Sequence, residues 1–421
     1  MVRLVFLALV IAAVVPTSAL AGWTAPANVP RSKDGVLSRV AMSTNGTVAV
    51  AWGDAKIAIR RRGGPWLPVR AMHARGTTAT SPDVAFDAQG HLLVVWTQSP
   101  ARPGRPLEGP FQIRLREWTP GLGWGGVRVL GRSGHFVLAQ PRLGTNTRGD
   151  AVVSWRGFRR ERRRLVETLA SSLRVAGGHF GRERDAAGGG PYRDVALDPG
   201  GNVLGVYTTY AGPRNYFVYQ PRGSGWRRPV RLPDSPASKP QIAVGADRTA
   251  VIAWRGAAVD SEGDGIQAGP PSAIMRSAGG GFTFPFRLSA VPVTDIKVVS
   301  APGTNYLLTW AGAGFLEPQL PGALDLRYTT REEGNALGTE MTVPGARMGP
   351  SAFLANGDAI VVYGAGGEIR AIRRPVRRAA MTAPDVIARR GLWPSLAAND
   401  ERAVATWLDP VRSRLQLALT R

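Results

Sequence analysis

Short apolar runs alternate with turns along most of the chain, and one pattern recurs. It is an apolar strand, a turn rich in Gly, Asn or Asp, and a second apolar strand ending on an aromatic. The copies read SRVAMSTNGTVAVAW to Trp52, PDVAFDAQGHLLVVW to Trp96, PRLGTNTRGDAVVSW to Trp155 and RDVALDPGGNVLGVY to Tyr207. They continue with PQIAVGADRTAVIAW to Trp254, IKVVSAPGTNYLLTW to Trp310, PSAFLANGDAIVVY to Tyr363 and PSLAANDERAVATW to Trp407. Six residues before the aromatic, five of the eight copies carry glycine (Gly46, Gly90, Gly149, Gly201, Gly357). That placement predicts a tight hairpin, where positive φ costs glycine little. Proline opens five copies (Pro82, Pro141, Pro240, Pro350, Pro394), as expected at a strand's first residue.

The aromatics lie 44, 59, 52, 47, 56, 53 and 44 residues apart. A repeat near that length suits one four-stranded propeller blade. Third strands are expected at segments such as AKIAIRRR, FQIRLREW, NYFVYQPR and GEIRAIRR, and fourth strands after Gly-aromatic turns such as GPWLPVRAM and GWRRPVRL. The chain is therefore read as all-β: a β-propeller of eight four-stranded blades, with seven as the alternative if one irregular copy builds no blade. The eighth unit ends at its third strand, and GWTAPANVP before the first unit resembles a lone fourth strand. Trp23–Val29 is expected to pair with Ser413–Thr420 and shut the ring. Closure removes the open sheet edge and favours a monomer. The eight aromatics are expected to anchor the core.

Composition adds the cellular route. Residues 1–21 show Arg3, a 12-residue apolar run from Leu4 to Val15 and an Ala19-Leu20-Ala21 ending, the pattern of a secretory signal. The run is shorter than the roughly 20 residues that span a bilayer. Residues 22–421 are then the exported propeller, secreted or held in the periplasm or cell envelope, with no transmembrane span. No cysteine is present, which excludes disulfides, zinc-thiolate sites and a cysteine nucleophile. Four scattered histidines give no HExxH or HxH pattern.

The net charge is +23, and four of the 53 basic residues are Lys, so Arg dominates. Such a charge draws anionic partners by steering and counterion release. An anionic polysaccharide or an envelope protein fits; export argues against nucleic acid. A GC-rich genome is the plainer source of the same Arg excess.

Strand order assigns faces. Loops leaving each second strand share one rim with the interblade connections, and the short Gly turns lie on the other. Long insertions follow the aromatics, so the binding surface is assigned to that rim. Its densest feature is Arg156, Arg159, Arg160, Arg162, Arg163 and Arg164, whose guanidinium forks suit carboxylate, sulfate or phosphate. Arg214 and Arg255 sit on the same rim. A solvated basic loop is the plainer reading of the cluster. Asp260, Glu262 and Asp264, followed by Gly265, copy the first half of a calcium loop, but Pro271 stands where its glutamate is needed. No cofactor is expected beyond that weak calcium possibility.

The repeat resembles secreted bacterial β-propellers of the sialidase-like, BNR-like group in architecture. The S-x-D-x-G-x-x-W box of sialidases is not met, and no early F/Y-R-I-P motif occurs. The resemblance implies a carbohydrate-active hydrolase or lyase as the alternative to a non-catalytic binding module. Tyr210, Arg214 and His135 would serve a lyase. Rim carboxylates such as Glu108, Glu317, Asp325 and Asp409 offer no selected pair for a hydrolase.

Overall fold

The computed structural model describes residues 22–421 except 34, 36–37, 102–110, 134–139, 162–163, 187, 191, 210–213, 234–236, 260–265, 302, 313–324, 333–336 and 377–379. The proposed leader, residues 1–21, lies outside the described residues. No helix occurs among them.

Eight antiparallel sheets form around four strands each, in chain order except that the N-terminal segment supplies the last strand of the eighth. The innermost strands are Arg39–Met42, Thr77–Phe86, Arg142–Thr145, Arg193–Leu197, Ala237–Val244, Val293–Ser300, Ser351–Phe353 and Leu392–Ala398. Each touches the innermost strands of both neighbours, the first meeting the eighth, so the sheets stand in a closed ring. The fold is an eight-bladed β-propeller, and the seven-blade alternative falls. In blade 2 a short pair, Gly123–Trp124, adds a fifth segment beside the third strand. Several outermost strands hold only two residues, among them Arg70–Ala71, Arg184–Asp185 and Val230–Arg231.

Ring closure follows the expected route. Ala27 and Asn28 pair with Leu417 and Gln416, and Trp23 bridges Thr420. The N-terminal segment is thus the outermost strand of blade 8. Trp23 and Val29 are buried at its two ends.

The aromatics explain why the blades stay together. Every one is nearly inaccessible to solvent. Each also plugs into the blade before it. Trp96 packs on Ile57, Ile59 and Met72 of blade 1, and Trp155 on Val95, Ile113 and Leu115 of blade 2. Trp52 of blade 1 packs on Leu415 and Leu417 of blade 8, which only a closed ring permits. Burying large aromatics is the main term holding such layers, and truncating one to alanine costs roughly 3–5 kcal/mol.

The inner hairpins turn at glycines with φ between +79° and +88°: Gly46, Gly90, Gly149, Gly201 and Gly357. In blade 5 Arg248 takes the same place at φ +62°. Side chains cap these turns. Asp87 accepts the Gln89 and His91 N–H groups, and Asn146 accepts those of Arg148 and Asp150.

Charge ties the same end together. Opposite the residue four before the aromatic stands Arg60, Arg174, Arg276, Arg331 or Arg374 in five blades. Arg174, itself buried, reaches back to Asp87 of blade 2 at 2.6 Å and stacks over Phe180. Arg374 reaches Glu332 of blade 6 at 2.7 Å. Arg276 lies over Phe217 and Tyr219 of blade 4. Three of these arginines therefore fasten one blade to the next.

Candidate functional site

At the opposite end of the axis charged residues serve differently. On each innermost strand one residue pairs with the position just before the blade's aromatic. These residues are Arg39, Asp83, Arg142, Asp194, Gln241, Lys297 and Ser395, with Pro350 in the matching place of blade 7. They form a ring at the insertion-side mouth of the central channel.

The carboxylates in this ring tie blades together. Asp83 accepts the Leu143 N–H of blade 3 at 2.9 Å, and Asp194 accepts the Ile242 N–H of blade 5 at 3.0 Å. The cations gather closely enough to feel one another's charge, with Asp83 and Asp295 opposing. Burial, then Arg142, holds Arg39 below its ordinary pKa, against the opposing pull of Asp83. Burial lowers Lys297, with Arg39 and Arg142 adding to it and Asp295 opposing. Burial lowers Arg193 to about 10; Glu167 opposes, and Arg156 and Arg142 add. Three blades thus send Arg39, Arg142 and Lys297 into one space where each feels another's charge. Arg39 and Arg142 present exposed surface to the channel, yet protein surrounds Arg39 closely enough to weaken its hydration. Burial also raises Asp194 to about 6, partly offset by the Ile242 N–H and by Arg142.

Two cavities open here. One of about 360 Å³ is lined by Arg39, Thr80, Ser81, Gln140 and Arg142. The other, about 210 Å³, is lined by Arg142, Tyr192, Arg193, Lys239, Gln241 and Asp295.

The prolines shape this mouth more than simple strand starts would. Ser81, Gln140, Lys239 and Trp393 have φ of +52°, +40°, +51° and +50°, and each directly precedes a proline. A left-handed backbone is unfavourable for such residues, and a following proline favours extended geometry instead. The cost is of order 1–3 kcal/mol per residue, and such outliers concentrate at functional sites. In blades 2, 5 and 8 the strain accompanies a register shift, between Thr80 and Asp83, Ser238 and Gln241, and Leu392 and Ser395. A bulge of this kind re-aims side chains.

Of the arginines singled out from sequence, Arg156 forms a two-pronged pair with Glu167 across its own hairpin. Its charge is therefore largely matched. Arg159 and Arg160 lie in the second strand of blade 3, Ala151–Glu161. Arg162 and Arg163 lie outside the described residues. Arg214 is exposed. Arg255 is half-buried and donates to the Ser238 hydroxyl at 3.0 Å, one residue from Lys239. Asp260, Glu262 and Asp264 lie outside the described residues, as do Tyr210 and His135. Among the described residues no cluster of three metal-ligating side chains occurs.

Sequence reading missed the mouth residues Arg39, Arg142, Arg193, Lys239 and Lys297. For Arg39, Arg142 and Lys297 the signal was a column: the ring residue stands 13 places before the aromatic in seven copies and 12 in the eighth. A third cavity on this rim, about 560 Å³, holds two carboxylates, Asp325 and Glu368, with Arg347 and Arg370. Asp325 accepts the Gly345 N–H, and Glu368 pairs with Arg370 at 2.7 Å.

No protein-family model and no curated protein matches the chain. Solved structures do. The Dos1 propeller is 8% identical with a TM-score of 0.57, over 94% of this chain and 93% of that one. The polysaccharide lyase Uly1 is 12% identical with a TM-score of 0.48, over 94% and 90%. The β-propeller domain of the Trilobed protease from Pyrococcus furiosus is 10% identical with a TM-score of 0.48, over 83% and 94%. At such identities the likeness speaks to fold, and the class is the β-propeller. Among the described residues no helix is long and apolar enough to cross a membrane.

Proposed function

We propose that this protein is an exported, non-catalytic binding module for an anionic glycan, which it grips at the insertion-side mouth of the ring. One observation carries the reading: Arg39, Arg142 and Lys297 converge from blades 1, 3 and 6, and their mutual repulsion is relieved when an anion sits among them. Burial strengthens this, because charge interactions grow as water is excluded. The net charge of +23 steers an anionic chain toward the surface. Arg214 and Arg255 are outer contributors to the same field. No bound metal is required by this reading.

The test is binding of polygalacturonate at low and moderate salt, with wild type and the Arg142→Gln/Lys297→Gln double variant. Wild type should bind, and binding should weaken steeply with salt. The double variant should show a shallower salt dependence by about two counterions, since each lost contact removes roughly one. Binding that ignores salt, or a double variant indistinguishable from wild type, contradicts the reading. The catalytic alternative rests on the Asp325 and Glu368 cavity. Release of reducing ends or unsaturated uronate from the same polymer, abolished by Glu368→Gln, would replace binding with catalysis.

A further inference from the structure

We propose that the ligand is a linear acidic sugar chain lying across the mouth, stacked on Tyr192 at one side and Trp393 at the other. This rests on the anion-binding reading above and adds how the sugar itself is read. Two residues before the charged ring lies a second ring position, held by Ser81, Gln140, Tyr192, Lys239, Asp295 and Trp393 in blades 2 to 6 and 8. Four of these six have the left-handed backbone described above.

Two of the six are exposed aromatics. Trp393 is 50% exposed and Tyr192 36%, whereas the eight blade aromatics are almost fully covered. A half-exposed tryptophan in a strained backbone immediately before a proline is poor packing and costly geometry. A surface that presents an aromatic face accounts for both. The Lys239 ammonium lies 5.9 Å from the Tyr192 ring centre, joining an aromatic face to a cation in one place. Aromatic faces take the apolar face of a sugar ring, while ammonium and guanidinium groups take its carboxylate or sulfate.

The topology fixes the spacing. In a closed ring of eight, blades 4 and 8 stand opposite each other, so the two aromatics flank the mouth from opposite sides. Arg39 and Arg142, with Lys239 and Lys297, come from blades 1, 3, 5 and 6 between them. A single sugar reaches one aromatic; a chain reaches both, and the second contact acts at high effective concentration.

The experiment uses oligogalacturonates of increasing length and, as a sugar-free anion, linear polyphosphate. The expected result for the full chain is affinity that climbs with oligogalacturonate length and then levels. Trp393→Ala and Tyr192→Ala should each weaken the long oligogalacturonate roughly tenfold and flatten the length series. Both should leave polyphosphate binding unchanged, and Trp393→Phe should retain most of the affinity. Thermal melts confirm that the variants fold. A monosaccharide binding as well as the long chain overturns the proposal. So does either alanine variant weakening both probes equally, or neither. If wild type binds neither probe, the anion site itself fails.

Discussion

The two ends of the propeller axis use the same residue type for opposite ends. At the turn side, three of the five arginines meet an acid or an aromatic of the preceding blade: Arg174 meets Asp87, Arg374 meets Glu332, and Arg276 lies over Phe217 and Tyr219. At the insertion side, Arg39, Arg142 and Lys297 meet one another, and the nearby aspartates are engaged by backbone N–H groups of adjoining residues. The turn side also holds a larger cavity, about 600 Å³, at the axis. Its polar side chains Asp87, Asn146 and Asn399 are occupied in capping hairpins. Cavity size therefore does not separate the two ends; the clustering of cations from different blades does. A count of arginines mixes interblade fasteners with the mouth cations proposed to bind an anion.

The contrast breaks most visibly at Arg174. Replacing it by methionine leaves Asp87 buried without its ion pair, and a broken buried pair costs roughly 3–5 kcal/mol. The low end is expected, because Asp87 keeps the Gln89 and His91 N–H donors. A urea midpoint measures this, and polygalacturonate affinity should be unaffected. An unchanged midpoint would mean that the turn-side arginines are ornamental.

Next in size is a pH effect at Asp194. Its folded pKa is raised from 3.8 to about 6 by burial. A raised carboxylate pKa favours folding while the group is protonated. Its contribution is complete below 3.8 and is lost as pH climbs through 6. Asp194→Asn keeps an oxygen for the Ile242 N–H and lacks the titration. The variant's stability should therefore gain on wild type between pH 4 and 7; parallel stability curves would reject the assignment.

Arg248→Gly is smaller. It relieves a left-handed non-glycine residue at a hairpin where five other blades already use glycine, and should stabilise by about 1 kcal/mol. Smallest is Arg142→Gln, expected to move stability by no more than roughly 0.5 kcal/mol, and upward if at all, while lowering polyanion affinity. A large destabilisation there would make Arg142 another fastener.

Particular residues show what was legible beforehand. The Trp52-to-Trp407 series revealed blade number because one buried aromatic per blade is a packing requirement. Closure through Trp23 and Asn28 was legible because an unfinished last unit must find its strand somewhere. The dense arginines after Trp155 drew the site assignment, yet Arg156 is matched by Glu167, 11 residues on. That partner becomes visible only once hairpin register is known. The mouth was harder to see. Its residues come singly from separate blades, and nothing local marks Arg39 or Lys297 until the copies are stacked on their aromatics. The backbone strain at Gln140 and Trp393 depends on tertiary packing and left no local signature beyond the following proline.

The most direct test is a hydrogen-exchange footprint of the full chain with and without polygalacturonate. Protection is expected at the starts of the innermost strands, around Arg39, Arg142, Arg193 and Lys239, with none at the turns around Gly46 and Gly149. Protection confined to the turn side, or to the outer edges of the blades, would contradict a cationic mouth as the binding surface.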